Sequence, residues 1–301
     1  MMNKIRIMPT VFFICILTAI LIFIIYTARY YRADAHAIKV LNSDSDNVTI
    51  TGTDYGWLFD GPSEDSALVF YPGGKVEETA YAPLLHRIAA GTMDVCLVTM
   101  PFRLAFFDID AAGEVMSKYD YQIWYIGGHS LGGAMAAIYA SEAVDPLEGI
   151  ILFAAYPTKP LPEDMKEILL VGSEDGVVSW EKISESRKYS PRDFTEHIIE
   201  GGNHAQFGSY GKQKGDGEPL IPADRQVEEA VEIISDAFSA QTGHGSLDKS
   251  EHGPAGLRRV GAAGIPGMMI KRSHLWNCDL LYVVKQNTSD HNGGACQRER
   301  R

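Results

Sequence analysis

The sequence predicts an α/β protein built on a mostly parallel β-sheet with helices on both faces. Short apolar runs recur between residues 67 and 199, and continuous apolar runs are typical of strands buried on both faces. Stretches with helical spacing of apolar residues lie between these runs. Strands that alternate with helices pair in parallel and are covered on both sides. The connections are short, so no separate lid domain is expected.

Two short strands are predicted first, at 48–53 and 57–59, before the turn signal Gly61-Pro62. The apolar runs that predict the remaining strands follow at 67–71, 94–99, 123–126, 149–153, 168–171 and 194–199. Helical patterns follow Thr79 and Ser130, cover 179–187, and end with apolar residues at helical spacing over 227–238.

The amino-terminal segment predicts a membrane anchor. Residues 8–28 are almost wholly apolar and uncharged, which is enough for a helix to span a bilayer. The alternative is a cleaved signal peptide, but the small-residue site Ala35-His36-Ala37 lies far downstream of the apolar run. We expect a single-pass anchor over residues 1–28 and a polar stalk over 29–46. Flanking charges only weakly favour a cytoplasmic amino terminus and an extracytoplasmic catalytic domain.

The charge is distributed unevenly along the chain. The formal net charge is −12, and residues 241–301 carry nine of the 27 Lys and Arg residues but only five of the 39 Asp and Glu residues. The acidic body argues against a nucleic-acid partner. Residues 47–240 are expected to form the folded domain, and residues 241–301, which show no sustained periodicity, a disordered basic tail. The sequence leaves the oligomeric state open.

No cofactor or metal is expected. The four cysteines form neither a zinc pattern nor a disulfide framework. Gly74-Lys75 is followed by Val76 and lacks the upstream glycine of a phosphate-binding loop. The glycines at 127 and 128 lack the spacing of a dinucleotide fingerprint.

Ser130 is the candidate nucleophile. It lies in Gly128-His129-Ser130-Leu131-Gly132, between a predicted strand and a predicted helix. Flanking glycines let strand and helix approach closely at a sharp turn, which exposes the serine hydroxyl. A serine at this position can also serve as a helix cap, but a cap does not require glycines on both sides.

A serine nucleophile needs a base to take its proton and an acid to orient that base. Asp175 and Glu174 follow the predicted strand 168–171, and His204 follows the strand 194–199. The carboxyl ends of parallel strands lie at one edge of the sheet, so these side chains are expected near Ser130. Asp175, directly before Gly176, is preferred over Glu174.

Backbone N–H groups must stabilise the negative charge that develops on the attacked carbonyl oxygen. Leu131 can donate one from the start of its helix, and the loop after strand 67–71 supplies Gly74 or, as the alternative, Lys75. Four side chains near strand ends are candidates for the pocket wall: Lys75, His129, Phe102 and Tyr156. The alternatives are that His129 shapes the turn at Ser130 and that Phe102 and Tyr156 are ordinary packing residues.

Four segments resemble the successive motifs of the α/β-hydrolase superfamily, most of all its lidless, dienelactone-hydrolase-like members: 71–75 (YPGGK), 127–133 (GGHSLGG), 172–177 (GSEDGV) and 201–208 (GGNHAQFG). The resemblance implies an α/β-hydrolase fold, a triad of Ser130, Asp175 and His204, and oxyanion donors at Gly74 and Leu131. Pro72 stands where many members have histidine, and the tail beyond residue 240 has no counterpart.

The predicted function is that of a serine hydrolase acting on a small acyl substrate. A carboxylic ester is the default, and thioesters and amides are alternatives. An acyltransferase would use the same triad with another acceptor. The alternative from another class is a non-catalytic binding protein of the same fold.

Overall fold

The computed structural model describes residues 2–43, 45 and 47–239, and the side chains from residue 11 to residue 238 within these ranges. The basic tail expected over residues 241–301 lies outside them. Within the described residues, eight strands form one sheet: β1 (Thr49–Gly52), β2 (Gly56–Asp60), β3 (Ser66–Tyr71), β4 (Asp94–Val98), β5 (Ile123–His129), β6 (Gly149–Phe153), β7 (Lys166–Gly172) and β8 (Asp193–Ile199).

The strand order is β1-β2-β4-β3-β5-β6-β7-β8. β2 pairs antiparallel with β1 and β4, and every other pair is parallel. The carboxyl ends of β3 to β8 therefore lie along one edge, where the candidate site residues follow them. Strands β3 to β7 are almost wholly buried, whereas β8 at the sheet edge is only partly buried.

Seven α-helices accompany the sheet in the described part of the chain: α1 (Met2–Ala28), α2 (Ala35–Leu41), α3 (Ala82–Gly91), α4 (Ala111–Met116), α5 (Leu131–Glu142), α6 (Trp180–Ser186) and α7 (Ala223–Ser239). α3 and α7 pack against each other and share one apolar core with the sheet. α5 covers β3, β5 and β6 from the opposite face, beside α4. The predicted mostly parallel sheet with helices on both faces is confirmed, and the short connections hold no separate lid within the described residues.

The end of α1 lies on the folded domain. Its segment Val11–Ala28 has a mean hydropathy of 2.8, apolar and long enough to cross a membrane. Within the last turns of α1, the residues at 23, 26 and 27 are buried or half-buried, while those at 20–22, 24, 25 and 28 are exposed. This i, i+3, i+4 spacing describes one face of a helix. One stripe of the last turns therefore contacts protein.

The structure differs from the polar stalk expected over residues 29–46. The Tyr31 N–H donates to the Lys75 carbonyl oxygen at 2.8 Å, and the Asp34 N–H donates to the Ser209 carbonyl oxygen at 2.8 Å. Helix α2 then packs against α3, with Val40 and Leu41 against the apolar core. A helix of seven residues is too short to show sequence periodicity, so its apolar side chains were not recognised as core.

Candidate active site

Ser130 occupies a sharp turn between β5 and α5. Its φ of 52° and ψ of −121° lie in a region that non-glycine residues rarely adopt. A Cβ at Gly132 would lie 2.2 Å from the Tyr71 carbonyl oxygen, and one at Gly128 would lie 2.6 Å from the same atom. The glycines are therefore required because β3 passes so close to the turn. The Ser130 side chain makes no capping hydrogen bond to α5, which disfavours the helix-cap interpretation.

Asp175 and His204 form a buried pair. Asp175 Oδ2 lies 2.8 Å from His204 Nδ1, and the two side chains are 0% and 1% exposed. Asp175 Oδ1 accepts hydrogen bonds from the Val177 and Val178 N–H groups, both at 2.8 Å. A carboxylate at Nδ1 favours the tautomer with the proton on that nitrogen, which leaves Nε2 as an acceptor. Among the described residues, His204 Nε2 has no hydrogen-bond partner, so the structure places no hydrogen bond between it and the Ser130 hydroxyl.

Glu174, the alternative acid, faces elsewhere. Its Oε1 accepts a hydrogen bond from the Ser173 hydroxyl at 3.1 Å, and its N–H donates to the Gly202 carbonyl oxygen at 2.8 Å. The carboxylate that contacts His204 belongs to Asp175.

The histidine loop is fixed by two polar side chains that the sequence did not single out. Asp216 accepts hydrogen bonds from the backbone N–H groups of Gly176, His204, Ala205 and Gly217, at 2.9 to 3.2 Å. Asp216 therefore joins the acid loop to the histidine loop. The composition of Gly215-Asp216-Gly217 indicates a turn in the sequence, but it does not reveal which distant N–H groups donate to the Asp216 carboxylate.

Gln226 from α7 makes the second set of contacts. Its Oε1 accepts from the Asn203 N–H at 2.9 Å, and its Nε2 donates to the Asn203 carbonyl oxygen at 2.8 Å. Gln226 is fully buried, so these hydrogen bonds are shielded from water. They fix the backbone directly before His204.

The loop after β3, residues 72–77, is here called the oxyanion loop, and its hydrogen bonds separate the two candidate donors. The Lys75 N–H donates to the Arg103 carbonyl oxygen at 2.8 Å, and the Gly73 N–H donates to the Tyr81 hydroxyl at 3.0 Å. In the part of the chain that the structure describes, the N–H groups of Gly74 and Leu131 have no hydrogen-bond acceptor. Gly74, and not Lys75, therefore has an N–H group available for a substrate oxygen. A Cβ at Gly74 would lie 2.8 Å from Leu131 Cδ2, so the two residues are adjacent.

His129 lies behind the turn and is only 1% exposed, so of its two expected places the structure differs from the pocket wall and agrees with the turn at Ser130. Its Nε2–H donates to the His204 carbonyl oxygen at 3.1 Å, and its Nδ1 accepts from the Tyr81 hydroxyl at 2.8 Å. Since a carbonyl oxygen only accepts, the proton resides on Nε2. Burial, and then the nearby His204, hold the pKa of His129 well below its usual value, so the ring is neutral.

The hydrogen bonds of Tyr81 and His129 connect the oxyanion loop to the histidine loop. They run from the Gly73 N–H to the Tyr81 hydroxyl, then to His129, and end at the His204 carbonyl oxygen. The ring centroids of His129 and His204 are 4.5 Å apart. Every donor in this series meets an acceptor, which makes the arrangement stable without ionised groups.

The remaining pocket candidates, Lys75, Phe102 and Tyr156, lie in two different places. Lys75 has a φ of 60°, and its Nζ lies 4.0 Å from the centre of the Tyr26 ring of α1. Burial, and then Arg29, lower the pKa of Lys75. Phe102 is 54% exposed and contacts Phe23 of α1, with ring centroids 5.2 Å apart. Tyr156 is half-buried beyond β6. Lys75 and Phe102 thus lie towards α1.

Comparison with known proteins adds a family match. The family model described as "Alpha/beta hydrolase family" matches residues 67–228, more than half of the chain. No curated protein matches. Within the described residues, no group of three or more His, Cys, Asp or Glu side chains is placed to hold a metal ion.

Several solved structures are similar at low identity. A soluble variant of a monoglyceride lipase from Saccharomyces cerevisiae is 10% identical, with 66% of this chain and 98% of that chain covered and a TM-score of 0.49. A predicted CIB-like hydrolase from Thermoplasma acidophilum is 16% identical, with coverages of 63% and 99% and a TM-score of 0.43. The alpha/beta hydrolase enzyme MGS-M1, from a Medee basin deep-sea metagenome library, is 16% identical, with coverages of 65% and 100% and a TM-score of 0.45. These distant likenesses do not bear on the substrate.

Proposed function

The chain belongs to the alpha/beta hydrolase family, and from that premise we propose that it is a serine hydrolase that cleaves a carboxylic ester through an acyl-enzyme on Ser130. The observation that carries the proposal is the buried Asp175–His204 pair, whose Nε2 is left as a free acceptor. A base in this state is what a serine hydroxyl needs in order to attack.

In the first step, His204 Nε2 takes the proton of the Ser130 hydroxyl while Ser130 Oγ bonds to the ester carbonyl carbon. The carbonyl oxygen becomes negative and accepts hydrogen bonds from the Gly74 and Leu131 N–H groups. The Asp175 carboxylate stabilises the imidazolium that forms and keeps the ring oriented.

In the second step, the ester C–O bond breaks and His204 Nε2–H gives its proton to the departing alcohol oxygen. The acyl group then remains bonded to Ser130 Oγ. Water enters, His204 takes a proton from it, and the resulting oxygen attacks the acyl carbon. The tetrahedral species collapses to a free carboxylic acid, and the proton returns from His204 to Ser130 Oγ.

A fluorophosphonate probe tests the nucleophile directly, because it reacts with an activated serine hydroxyl. We expect the full-length protein to be labelled and Ser130→Ala to remain unlabelled. Ser141, whose hydroxyl donates to a helix carbonyl oxygen, offers a matched Ser→Ala control that should keep full labelling. Persistent labelling of Ser130→Ala, or a folded wild-type protein that is never labelled, would refute the proposal. The second outcome would favour a non-catalytic binding protein.

We further propose that α1 is an uncleaved membrane anchor and that the catalytic domain is extracytoplasmic. The support for retention is that Phe23, Tyr26 and Thr27 contact the folded domain, contacts that a cleaved signal peptide would remove. Sequencing the amino terminus of the protein from a membrane fraction tests retention. Protease added to intact cells without a wall should remove the catalytic domain if it lies outside.

A further inference from the structure

Residues 29–34, here the juxtamembrane segment, lie directly against the oxyanion loop. Tyr31 forms a parallel bridge with Val76, in which its N–H donates to the Lys75 carbonyl oxygen and its carbonyl oxygen accepts from the Glu77 N–H, both at 2.8 Å. Tyr31 is only three residues beyond the last residue of α1, a distance of roughly 10 Å at most. The proposed oxyanion donor Gly74 is therefore close to the point where α1 ends.

A second loop extends along α1 itself. The aromatic loop, residues 101–107, follows β4, and its Phe102 and Phe107 rings lie 5.2 and 5.9 Å from the ring of Phe23. Phe23 precedes the end of α1 by five residues, roughly 7 Å of helix. If α1 spans the bilayer, Phe102 and Phe107 lie at the depth of its last turns and not in bulk water.

The exposure and backbone of this loop agree with that placement. Phe102 and Phe107 are 54% and 46% exposed, so about half of the surface of each of these two adjacent residues is not covered by protein. Phe102 and Arg103 have φ values of 55° and 59°, conformations that are costly for bulky residues. The hydrogen bond from the Lys75 N–H to the Arg103 carbonyl oxygen ties this strained turn to the oxyanion loop.

Tyrosines and cations surround the same place. The Arg103 guanidinium lies 3.6 Å from the centre of the Tyr30 ring, and Lys75 Nζ lies 4.0 Å from that of Tyr26. Tyrosine and basic side chains are typical of the boundary between the acyl chains and the headgroups of a bilayer.

We propose that the candidate site opens at the membrane surface and that its substrate is an acyl ester of an amphiphile resident in the same bilayer. This inference rests on the proposed function. Phe102 and Phe107 insert among the acyl chains, and the oxyanion loop receives the ester group at headgroup level. The ester carbonyl of a membrane lipid lies at that level, so the bond reaches Ser130 without the lipid leaving the bilayer. The products are a carboxylic acid and an alcohol.

Photocrosslinking tests the membrane contact without reference to activity. The full-length chain carries p-benzoylphenylalanine at position 107 or, as a control, at position 144, and is reconstituted in phosphatidylcholine–phosphatidylglycerol vesicles. Val144 is 97% exposed and follows α5, roughly 18 Å of helix away from Ser130. We expect lipid adducts at position 107 and none at position 144. No adduct at position 107, with α1 inserted in the vesicle, would overturn the membrane contact.

Two esters with one leaving group test the substrate class. p-Nitrophenyl butyrate is offered in water and p-nitrophenyl palmitate in the same vesicles, to the wild type, Phe107→Ser and Val144→Ser. We expect the wild type to cleave both. We expect the rate of palmitate ester hydrolysis to fall roughly tenfold in Phe107→Ser, because a ring inserted in lipid is lost. The rate of butyrate ester hydrolysis should not change in this variant. Val144→Ser should change neither rate.

The outcomes separate the two proposals. Equal losses of hydrolysis rate on both esters in Phe107→Ser would mean that the aromatic loop maintains the structure of the candidate site and does not act through a membrane contact. Cleavage of butyrate without palmitate would overturn the substrate class and leave the serine hydrolase intact. Failure on both esters together with an unlabelled Ser130 would overturn the proposed function, and the crosslinking result would still decide the membrane contact.

Discussion

The loops on the two sides of Ser130 are held in different ways. On the acid–histidine side, the loops after β7 and β8 are held by polar contacts from the buried Asp175 and Gln226 and from the half-buried Asp216. On the oxyanion side, the loops after β3 and β4 are held by backbone hydrogen bonds, one buried hydrogen bond from the Gly73 N–H to the Tyr81 hydroxyl, aromatic contacts and the end of α1. The acid–histidine side is held from within the domain, and the oxyanion side also contacts the end of α1.

Backbone strain follows the same division. In the loops after β7 and β8, left-handed φ values occur at glycines, such as Gly201 and Gly215, where they cost little; Ala154, after β6 on the same side of Ser130, is an exception with a φ of 48°. On the oxyanion side they occur at Lys75, Phe102 and Arg103, where each costs on the order of 1–3 kcal/mol. Strain of this kind persists only when surrounding contacts enforce it. The two sides of the candidate site therefore differ both in the contacts that hold their loops and in where backbone strain occurs.

The largest effect is expected on the acid–histidine side. Asp175→Asn removes the charge that stabilises the imidazolium and permits the wrong histidine tautomer, so kcat should fall on the order of 10⁴-fold. Glu174→Gln, its matched neighbour, should change kcat by less than about twofold, because Glu174 does not contact His204. Hydrolysis of p-nitrophenyl butyrate measures both. A greater loss with Glu174→Gln would reassign the acid.

The next effect tests the oxyanion side. In Gly74→Ala the new Cβ meets Leu131 Cδ2 at 2.8 Å and Leu131 Cβ at 3.2 Å, which pushes the two proposed donors apart. We expect kcat to fall on the order of a hundredfold with little change in KM, as for loss of one oxyanion donor. Gly91→Ala is the control, since a Cβ there meets no atom within 4 Å. If Gly74→Ala retains full kcat, the second donor is another group.

A smaller effect is expected from the contact that joins the acid and histidine loops. Asp216→Asn keeps one acceptor oxygen and turns an NH₂ group towards backbone donors, so kcat/KM should fall roughly tenfold and the free energy of unfolding by about 1–3 kcal/mol. Glu218→Gln is the control, because Glu218 pairs only with the exposed Lys212. Kinetics and urea unfolding measure the two quantities. Unchanged kinetics in Asp216→Asn would show that the loops hold their positions without it.

The smallest effect is on stability in acid, and it tests the buried connection between the two sides. The pKa of His129 lies well below 6.5 in the folded protein, so the unfolded chain takes up its proton first as the pH falls. The free energy of unfolding that depends on neutral His129 is fully present above about pH 6.5. Below that pH it falls by up to about 1.4 kcal/mol per pH unit, until the pKa of His129 in the folded protein is passed.

Urea unfolding between pH 5 and pH 8 measures this slope. His129→Gln should flatten it, whatever its effect at neutral pH. Tyr81→Phe should lower stability at every pH and keep the slope, because the hydroxyl is lost while His129 stays buried. A slope that is identical in His129→Gln and the wild type would assign the acid sensitivity to other groups.

The sequence predicted the class of fold and identified Ser130, Asp175 and His204 as candidate catalytic residues. Their catalytic roles stay a proposal. The fold prediction is confirmed because strand periodicity and turn glycines are local signals, and because parallel strands place their carboxyl ends at one edge. Gly74 and Lys75 could not be ranked from sequence. Only the hydrogen bond from the Lys75 N–H to Arg103 separates them.

The sequence by itself determined an apolar amino-terminal helix, an α/β domain and a serine between glycines at a strand end. The tertiary structure decided that residues 29–43 pack on the domain, that His129 is buried, and that Asp216 joins two loops. It also decided that α1 lies beside the oxyanion loop. The physical reason is that composition and spacing act over a few residues, whereas these contacts join atoms from distant parts of the chain.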